Sequence, residues 1–234
     1  MLETSEISVA LQWATEIFGF TNVPKYYISP QNFLTAYRDG DSYSFVVKDD
    51  QFYGHTYGDN PPLDKRWQKV AVSGINPPSI LECKPRYGFE FWAINTEATG
   101  APLEVITDYA LINSMLGEHA PDLSVRPGSD EEIFWGAVRN ESGEIASLGA
   151  LVQWKSKQFV LASVVTRIED RGKGLASALS AGVAAHAHSL GISEVGLGVI
   201  DTNIAAQKAY EKAGYRCLAA FTNYFRESTD NQKA

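Results

Sequence analysis

The chain of 234 residues is acidic, with a formal net charge of -8, and is 44% hydrophobic and 21% charged. This is the balance of an ordinary folded protein, with core enough for one large domain or two small ones. It excludes two classes: no basic stripe suits a nucleic acid, and no run of about 18 apolar residues can span a membrane.

The opening segment, MLETSEISVALQWATEIFGF, lacks the basic start and apolar run of a signal peptide. Within it Ile7, Ala10, Ala14, Ile17 and Phe18 recur at helical spacing. Ser29-Pro30 reads as an N-cap and first helical residue, with Gly40 ending a short helix. Residues 42–58 read as a β-hairpin turning at Asp49-Asp50. NPPLDKRW and GINPPSI are proline-rich connectors. The many aromatic residues of this first third suit a small core. YGFEFWAI, 87–94, is a strand candidate. Pro102 opens a predicted helix with Val105, Tyr109, Ile112 and Leu116 on one stripe, stopped by Gly117. Three apolar runs follow, Ile133–Val138, Ile145–Gln153 and Phe159–Thr166, and the short turns between them predict an antiparallel meander. Leu175, Leu179, Val183, His186 and Leu190 mark a helix closed by Gly191. Val195–Ile200 is a short strand, and a second helix runs from Thr202-Asn203 to Gly214. Two strand-like runs, Cys217–Phe221 and Asn223–Phe225, close the order. The expected class is α/β (α+β), a mixed sheet with helices on both faces. Cys83 and Cys217 stand far apart without CxxC spacing, which points to a reducing compartment, by default the cytoplasm, and to no zinc site.

Chemistry concentrates in two stretches. RIEDRGKGLASAL, 167–179, places Arg171, Gly172, Lys173 and Gly174 directly before a helix. Glycines let the backbone approach a ligand, and the free amides of the first turn, Gly172 to Ser177, can cradle a pyrophosphate. The plain alternative is a surface loop with two cations. The stretch is not a P-loop, because GxxxxGK[ST] is absent. Gly172-x-Gly174 half-matches a dinucleotide fingerprint, but Ser177 stands where the third glycine belongs, and Glu194 opens the next strand instead of closing it. In the second stretch, NIAAQKAYEKAGY, Asn203 and Tyr210 lie seven apart on one helix face, about 10 Å from each other, with Ala206 between them. An amide and a phenol so placed suit a long, partly peptide-like ligand. A capping asparagine and a core tyrosine are the alternative.

Together these stretches resemble the GNAT superfamily of acyl-CoA-dependent N-acetyltransferases. The matching pieces are FVLASVVT, Arg171-x-x-Gly174-x-Ala176, EVGLGVI, and Asn203-x-x-Ala206…Tyr210…Gly214-Tyr215. The resemblance covers roughly residues 86 to 228, so 86–234 reads as a GNAT acetyltransferase domain and 1–85 as an N-terminal extension or small domain. It implies a mixed, mostly antiparallel central sheet with helices on both faces. It implies acetyl-CoA as co-substrate and no metal. The pyrophosphate would lie on the amides of Gly172, Lys173, Gly174, Leu175, Ala176 and Ser177, with Arg171 and Lys173 adding charge. The pantetheine arm would run beside Val164, Val165 and Thr166 and meet Asn203. Tyr210 would be the general acid at the thioester sulfur. A backbone N–H of the strand 159–166 would face the acyl oxygen.

The general base is not legible. The strand Phe159–Thr166 holds no carboxylate. In the branch that acetylates protein N-termini a glutamate serves at the place that Gly198 occupies here, which sets this chain apart from that branch. Asp201, Glu90, Glu104 and His119 are the remaining candidates. His186 and His188, two apart on a helix, do not form a metal pair. The expected acceptor is a small-molecule amine or a protein amine, with no nucleic acid or membrane partner and a monomeric or homodimeric state. Two rivals stand beside this reading: a non-enzymatic acyl-CoA-binding or sensing module, and a nicotinamide-dinucleotide binder.

Overall fold

The computed structural model describes residues 1–19, 22–73, 83–97, 103–122 and 125–226. In chain order the elements are β1 (Leu2–Thr4), α1 (Ile7–Phe18), α2 (Pro24–Tyr27), β2 (Phe33–Asp39), β3 (Ser42–Lys48), β4 (Phe52–Tyr57) and β5 (Lys69–Val72). They continue with β6 (Cys83–Asn95), β7 (Glu104–Ile106), α3 (Tyr109–His119), β8 (Glu132–Arg139), β9 (Ile145–Gln153) and β10 (Phe159–Thr166). The last are α4 (Leu175–Ser189), β11 (Glu194–Ile200), α5 (Ile204–Lys212) and β12 (Arg216–Arg226). The class is the expected one, mixed α/β with mostly antiparallel pairing; β4 with β5 and β10 with β11 are parallel. No helix among the described residues is long and apolar enough to cross a membrane.

The chain forms two compact units. The first comprises Met1–Glu90, Ile200–Thr202 and the segment from Leu218 onward. Its strands run in the order β1-β2-β3-β4-β5-β12. One small core gathers Val46, Trp67, Val70 and Val72. Gly54 is required there, because a Cβ would run into the Phe45 carbonyl and the Trp67 indole. Trp67 Nε1 instead donates to Phe45 O at 3.2 Å. A second aromatic set surrounds the fully buried His55, with Tyr27, Phe45, Tyr57 and Phe221 against its ring.

Residues 29–40 depart from expectation. The helix predicted there is instead a turn at Ser29–Asn32 followed by β2. The Asn32 side chain accepts the Ser29 amide at 3.0 Å, and its carbonyl takes the Lys48 amide at 2.8 Å. Phe33, Thr35 and Tyr37 then alternate along a strand, and a two-residue turn, Gly40-Asp41, with glycine at φ +60°, returns the chain into β3. The proline that does open a helix is Pro24. The hairpin at 42–58 forms with Lys48 opposite Phe52. GINPPSI lies outside the described residues.

The second unit comprises Phe91–Val199 and Asn203–Cys217, with strand order β6-β11-β10-β9-β8-β7. The predicted meander is present as β8, β9 and β10. Its main core packs Phe134, Leu151, Leu161, Val195 and Leu197 of the sheet against Leu179 and Val183 of α4 and Tyr210 of α5. Ile112, Met115 and Leu116 bury one stripe of α3. The helix expected from Pro102 starts later. Val105 lies in β7, paired to Gly136, and α3 begins at Tyr109 under the cap of Asp108, whose carboxylate accepts the Leu111 amide at 3.0 Å. Gly117 does not stop it; the helix runs on to His119. Pro102 itself lies outside the described residues. The two closing runs are one unbroken strand, β12.

Candidate active site

β10 is the first wall of the site, in the second unit. Its ladder with β9 slips between Ala162 and Val165. At the bulge Ser163 takes φ +51°, a left-handed conformation unusual for a residue with a side chain. Its hydroxyl holds the irregularity in place, donating to Val125 O at 3.0 Å and accepting the Val125 amide at 3.1 Å. β10 pairs in parallel with β11 where Val160 faces Gly196. Val164 lies within the bulge, and Val165 and Thr166 lead on to the loop. Ser147 Oγ donates to the Val165 carbonyl at 3.0 Å and lies 2.9 Å from Thr166 Oγ1.

The loop is built by its own charges. A short 3-10 turn, Ile168–Asp170, ends at an aspartate only 2% exposed. Lys173 Nζ donates to Asp170 Oδ1 at 2.7 Å, and Asn140 Nδ2 donates to its other oxygen at 3.1 Å. The Lys173 ammonium holds the Asp170 carboxyl below the usual carboxylate range, and Asp170 in turn raises Lys173. Arg171 Nε reaches the Thr166 carbonyl at 3.3 Å, and its Nη2 reaches the His119 carbonyl at 3.2 Å. Gly172 and Gly174 sit at φ +79° and +81°, so each turns the chain where another residue would be strained. α4 then starts with no side-chain cap. Its first helical bond is Ala178 N–H to Gly174 O. The amides of Gly172, Lys173, Gly174, Leu175, Ala176 and Ser177 find no protein acceptor among the described residues. A Cβ on Gly172 would meet nothing within 4 Å, and one on Gly174 would meet only Lys212 Nζ, at 3.8 Å. Open space, unpaired amides and a helix N-terminus together fit an anion. Lys212 is a further cation near this cradle, and the sequence reading missed it.

α5 carries the remaining residues. Asn203 is its N-cap, with Oδ1 accepting the Ala206 amide at 3.2 Å. Tyr210 lies on the same helix, 8% exposed, in the core cluster. Its phenol makes no hydrogen bond among the described residues, and burial pushes its pKa up to about 12. Tyr215 packs beside it, ring centroids 6.1 Å apart. The structure thus brings β10, the glycine loop and α5 into one unit.

The candidate bases scatter. Glu104 is gripped by Arg139 through two bonds of 2.7 and 2.8 Å, which lower its pKa. Asp201 and Glu90 belong to the first unit, where the Asp201 carboxylate lies against Gly88. Gly198 is exposed, with nothing within 4 Å of a built Cβ. His119 is on α3, joined to the loop through Arg171. Ser163 and Val125 escaped the sequence reading, and a lone serine in an apolar run was the single hint.

Residues 105–215 match the model of the acetyltransferase (GNAT) family. No curated protein matches the sequence. Among solved structures, a GCN5-related N-acetyltransferase from Kribbella flavida is similar at TM-score 0.58 and 13% identity, over 97% of this chain and 98% of that one. An acetyltransferase from the GNAT family of Colwellia psychrerythraea is similar at TM-score 0.52 and 12% identity, over 96% and 98%. At such identity the likeness is one of fold.

Proposed function

The chain belongs to the GNAT acetyltransferase family through residues 105–215, and from that premise we propose that it transfers an acetyl group from acetyl-CoA to a primary amine by direct attack in a ternary complex. The observation that carries this reading is the row of unpaired amides from Gly172 to Ser177, set behind two glycines at positive φ. Acetyl-CoA supplies an acyl thioester activated toward amines. The chain's own residues do the rest. The amides would hold the pyrophosphate. Lys173 neutralises Asp170, the buried carboxylate of the loop. Arg171 fixes the loop against Thr166 and His119. Val164, Val165 and Thr166 would flank the arm, and Asn203 keeps its Nδ2 for it while Oδ1 caps the helix.

Tyr210 would donate its proton to the departing sulfur as the C–S bond breaks; the attacking amine releases a proton to water, and water returns one to the phenolate. With a pKa pushed up to about 12 it stays protonated at neutral pH. A phenol this weak as an acid hands over its proton late, as charge builds on a sulfur that the same apolar surroundings leave poorly solvated. The acceptor is a small-molecule amine or an amine on a protein.

Calorimetry tests the reading. Wild type is expected to bind acetyl-CoA, and Gly174→Glu to lose nearly all affinity while keeping its circular dichroism, because a side chain at φ +81° strains the turn and its carboxylate would crowd the phosphate space. Equal affinity would sink it. One observation favours the second reading, a non-enzymatic acyl-CoA-binding module: β10 has no carboxylate and Gly198 is bare. A thiol-release screen with mixed amines separates the two.

A further inference from the structure

We propose that His119 is a binding residue for acyl-CoA, its Nδ1 accepting a hydrogen bond from an amide N–H of the pantetheine arm. This rests on the acyl-CoA reading above. His119 is the last residue of α3, and its side chain is only 6% exposed. Nδ1 is buried and meets no hydrogen-bond partner among the described residues. A buried ring nitrogen that has lost water and gained nothing marks a place where a partner is still to arrive.

The chemistry of that partner follows from the other nitrogen. Glu118 Oε2 lies 3.9 Å from Nε2, too far for a hydrogen bond. In the tautomer with its proton on Nε2, the nitrogen nearer Glu118, the ring is an acceptor at Nδ1. The partner must therefore be a donor. Phosphate oxygens and the acyl carbonyl, being acceptors, do not fit this tautomer.

Position selects among donors. The His119 carbonyl accepts from Arg171 Nη2 at 3.2 Å, and Arg171 Nε holds the Thr166 carbonyl at 3.3 Å. One guanidinium thus ties His119 to the end of β10. The connector that follows is pinned to the bulge by Ser163 and Val125. His119 is held along the stretch of β10 between bulge and cradle. A ligand with its pyrophosphate on the cradle and its thioester toward the bulge spans this stretch with its arm, whose uncharged N–H donors are amides.

The test compares wild type, His119→Leu and His119→Asn by calorimetry, with acetyl-CoA and with adenosine 3′,5′-bisphosphate, which has no arm. The asparagine Oδ1 falls near the place of Nδ1. His119→Leu is expected to bind acetyl-CoA about tenfold more weakly. His119→Asn should stay within about threefold of wild type, and the bisphosphate should bind all three alike. Four outcomes overturn the inference: undiminished acetyl-CoA affinity in His119→Leu, equal loss of both ligands, no rescue by asparagine, or an unchanged acetyl-CoA Kd with a raised KM for the amine. In the last case the ring meets the acceptor instead. A wild type that binds no acetyl-CoA overturns the reading beneath, and this inference with it.

Discussion

At the scale of single residues, the decisive pair is Tyr210 and Asn203. Tyr210→Phe keeps the ring in its core cluster and removes only the proton. It is expected to lower kcat about 10²-fold, the low end for general acids, with the acetyl-CoA Kd within a few-fold. Steady-state kinetics beside direct binding will show it; turnover at the wild-type rate with chemistry limiting would reduce Tyr210 to a wall. Asn203 has two duties that two substitutions separate. Asn203→Ala removes the acceptor for the Ala206 amide and should cost about 1 kcal/mol of stability, read in a thermal melt. Asn203→Asp keeps that acceptor and loses the Nδ2 donor, so it should melt near wild type yet bind acetyl-CoA several-fold more weakly. Their shared helix face was legible from a spacing of seven. The alternative reading, a capping asparagine and a core tyrosine, is also met: Asn203 caps the helix and Tyr210 packs beside Tyr215 in the main core. The Lys173–Asp170 pair was not legible as an internal clasp, since sequence spacing says nothing of which charge is buried.

At the scale of elements, β4 raises a question of acid stability. Tyr53, His55 and Tyr57 alternate along it, and both phenols reach the imidazole: Tyr53 at Nε2, and Tyr57 at Nδ1 across 3.3 Å. Burial, helped by the Lys69 ammonium, pushes the His55 pKa well below its ordinary value of 6.5. Above about pH 6.5 folded and unfolded chains both hold it neutral, and it adds no pH dependence. Below that, the unfolded chain takes up a proton that the folded one refuses. Stability should fall with pH, by at most about 1.4 kcal/mol per unit, until the folded pKa is reached. Thermal melts between pH 7 and 5 should show this slope, and His55→Gln should flatten it; an unchanged slope would acquit the histidine. Elements with clean periodicity, such as β8 to β10 and α4, were legible in the sequence. The two that were misread both had a proline ahead of an apolar stretch. Ser29-Pro30 suggested a helix start, but Gly40 is a hairpin turn and the ladder with β3 outweighs local preference. Val105 has helical spacing to Tyr109, but pairing with β8 claims it first.

At the scale of the whole molecule, sequence resemblance and physical contact divide the chain differently. The resemblance starts near residue 86 and runs to about 228, whereas contacts group Met1–Glu90 with the segment from Leu218 onward. A motif records where a pattern begins; a contact records what pairs with it across the chain, and β5 finds its antiparallel partner in β12, Val70 opposite Tyr224. A chain truncated after Cys217 should therefore keep the glycine loop and α5 but lose a strand of its first unit. Limited proteolysis is expected to cut the first unit of that chain well below the wild-type melting temperature; equal resistance would show that β12 is dispensable there. The same threading has a mechanical consequence. Both segments of the second unit are spliced into the first, which holds both Met1 and Arg226. Pulled between those two residues in an optical trap, the chain feeds force into the first unit at both ends, and the second unit lies between them only along the sequence. The force trace should rip first for the first unit, and only then should tension reach the glycine cradle, so the proposed acetyl-CoA site is expected to bear load last.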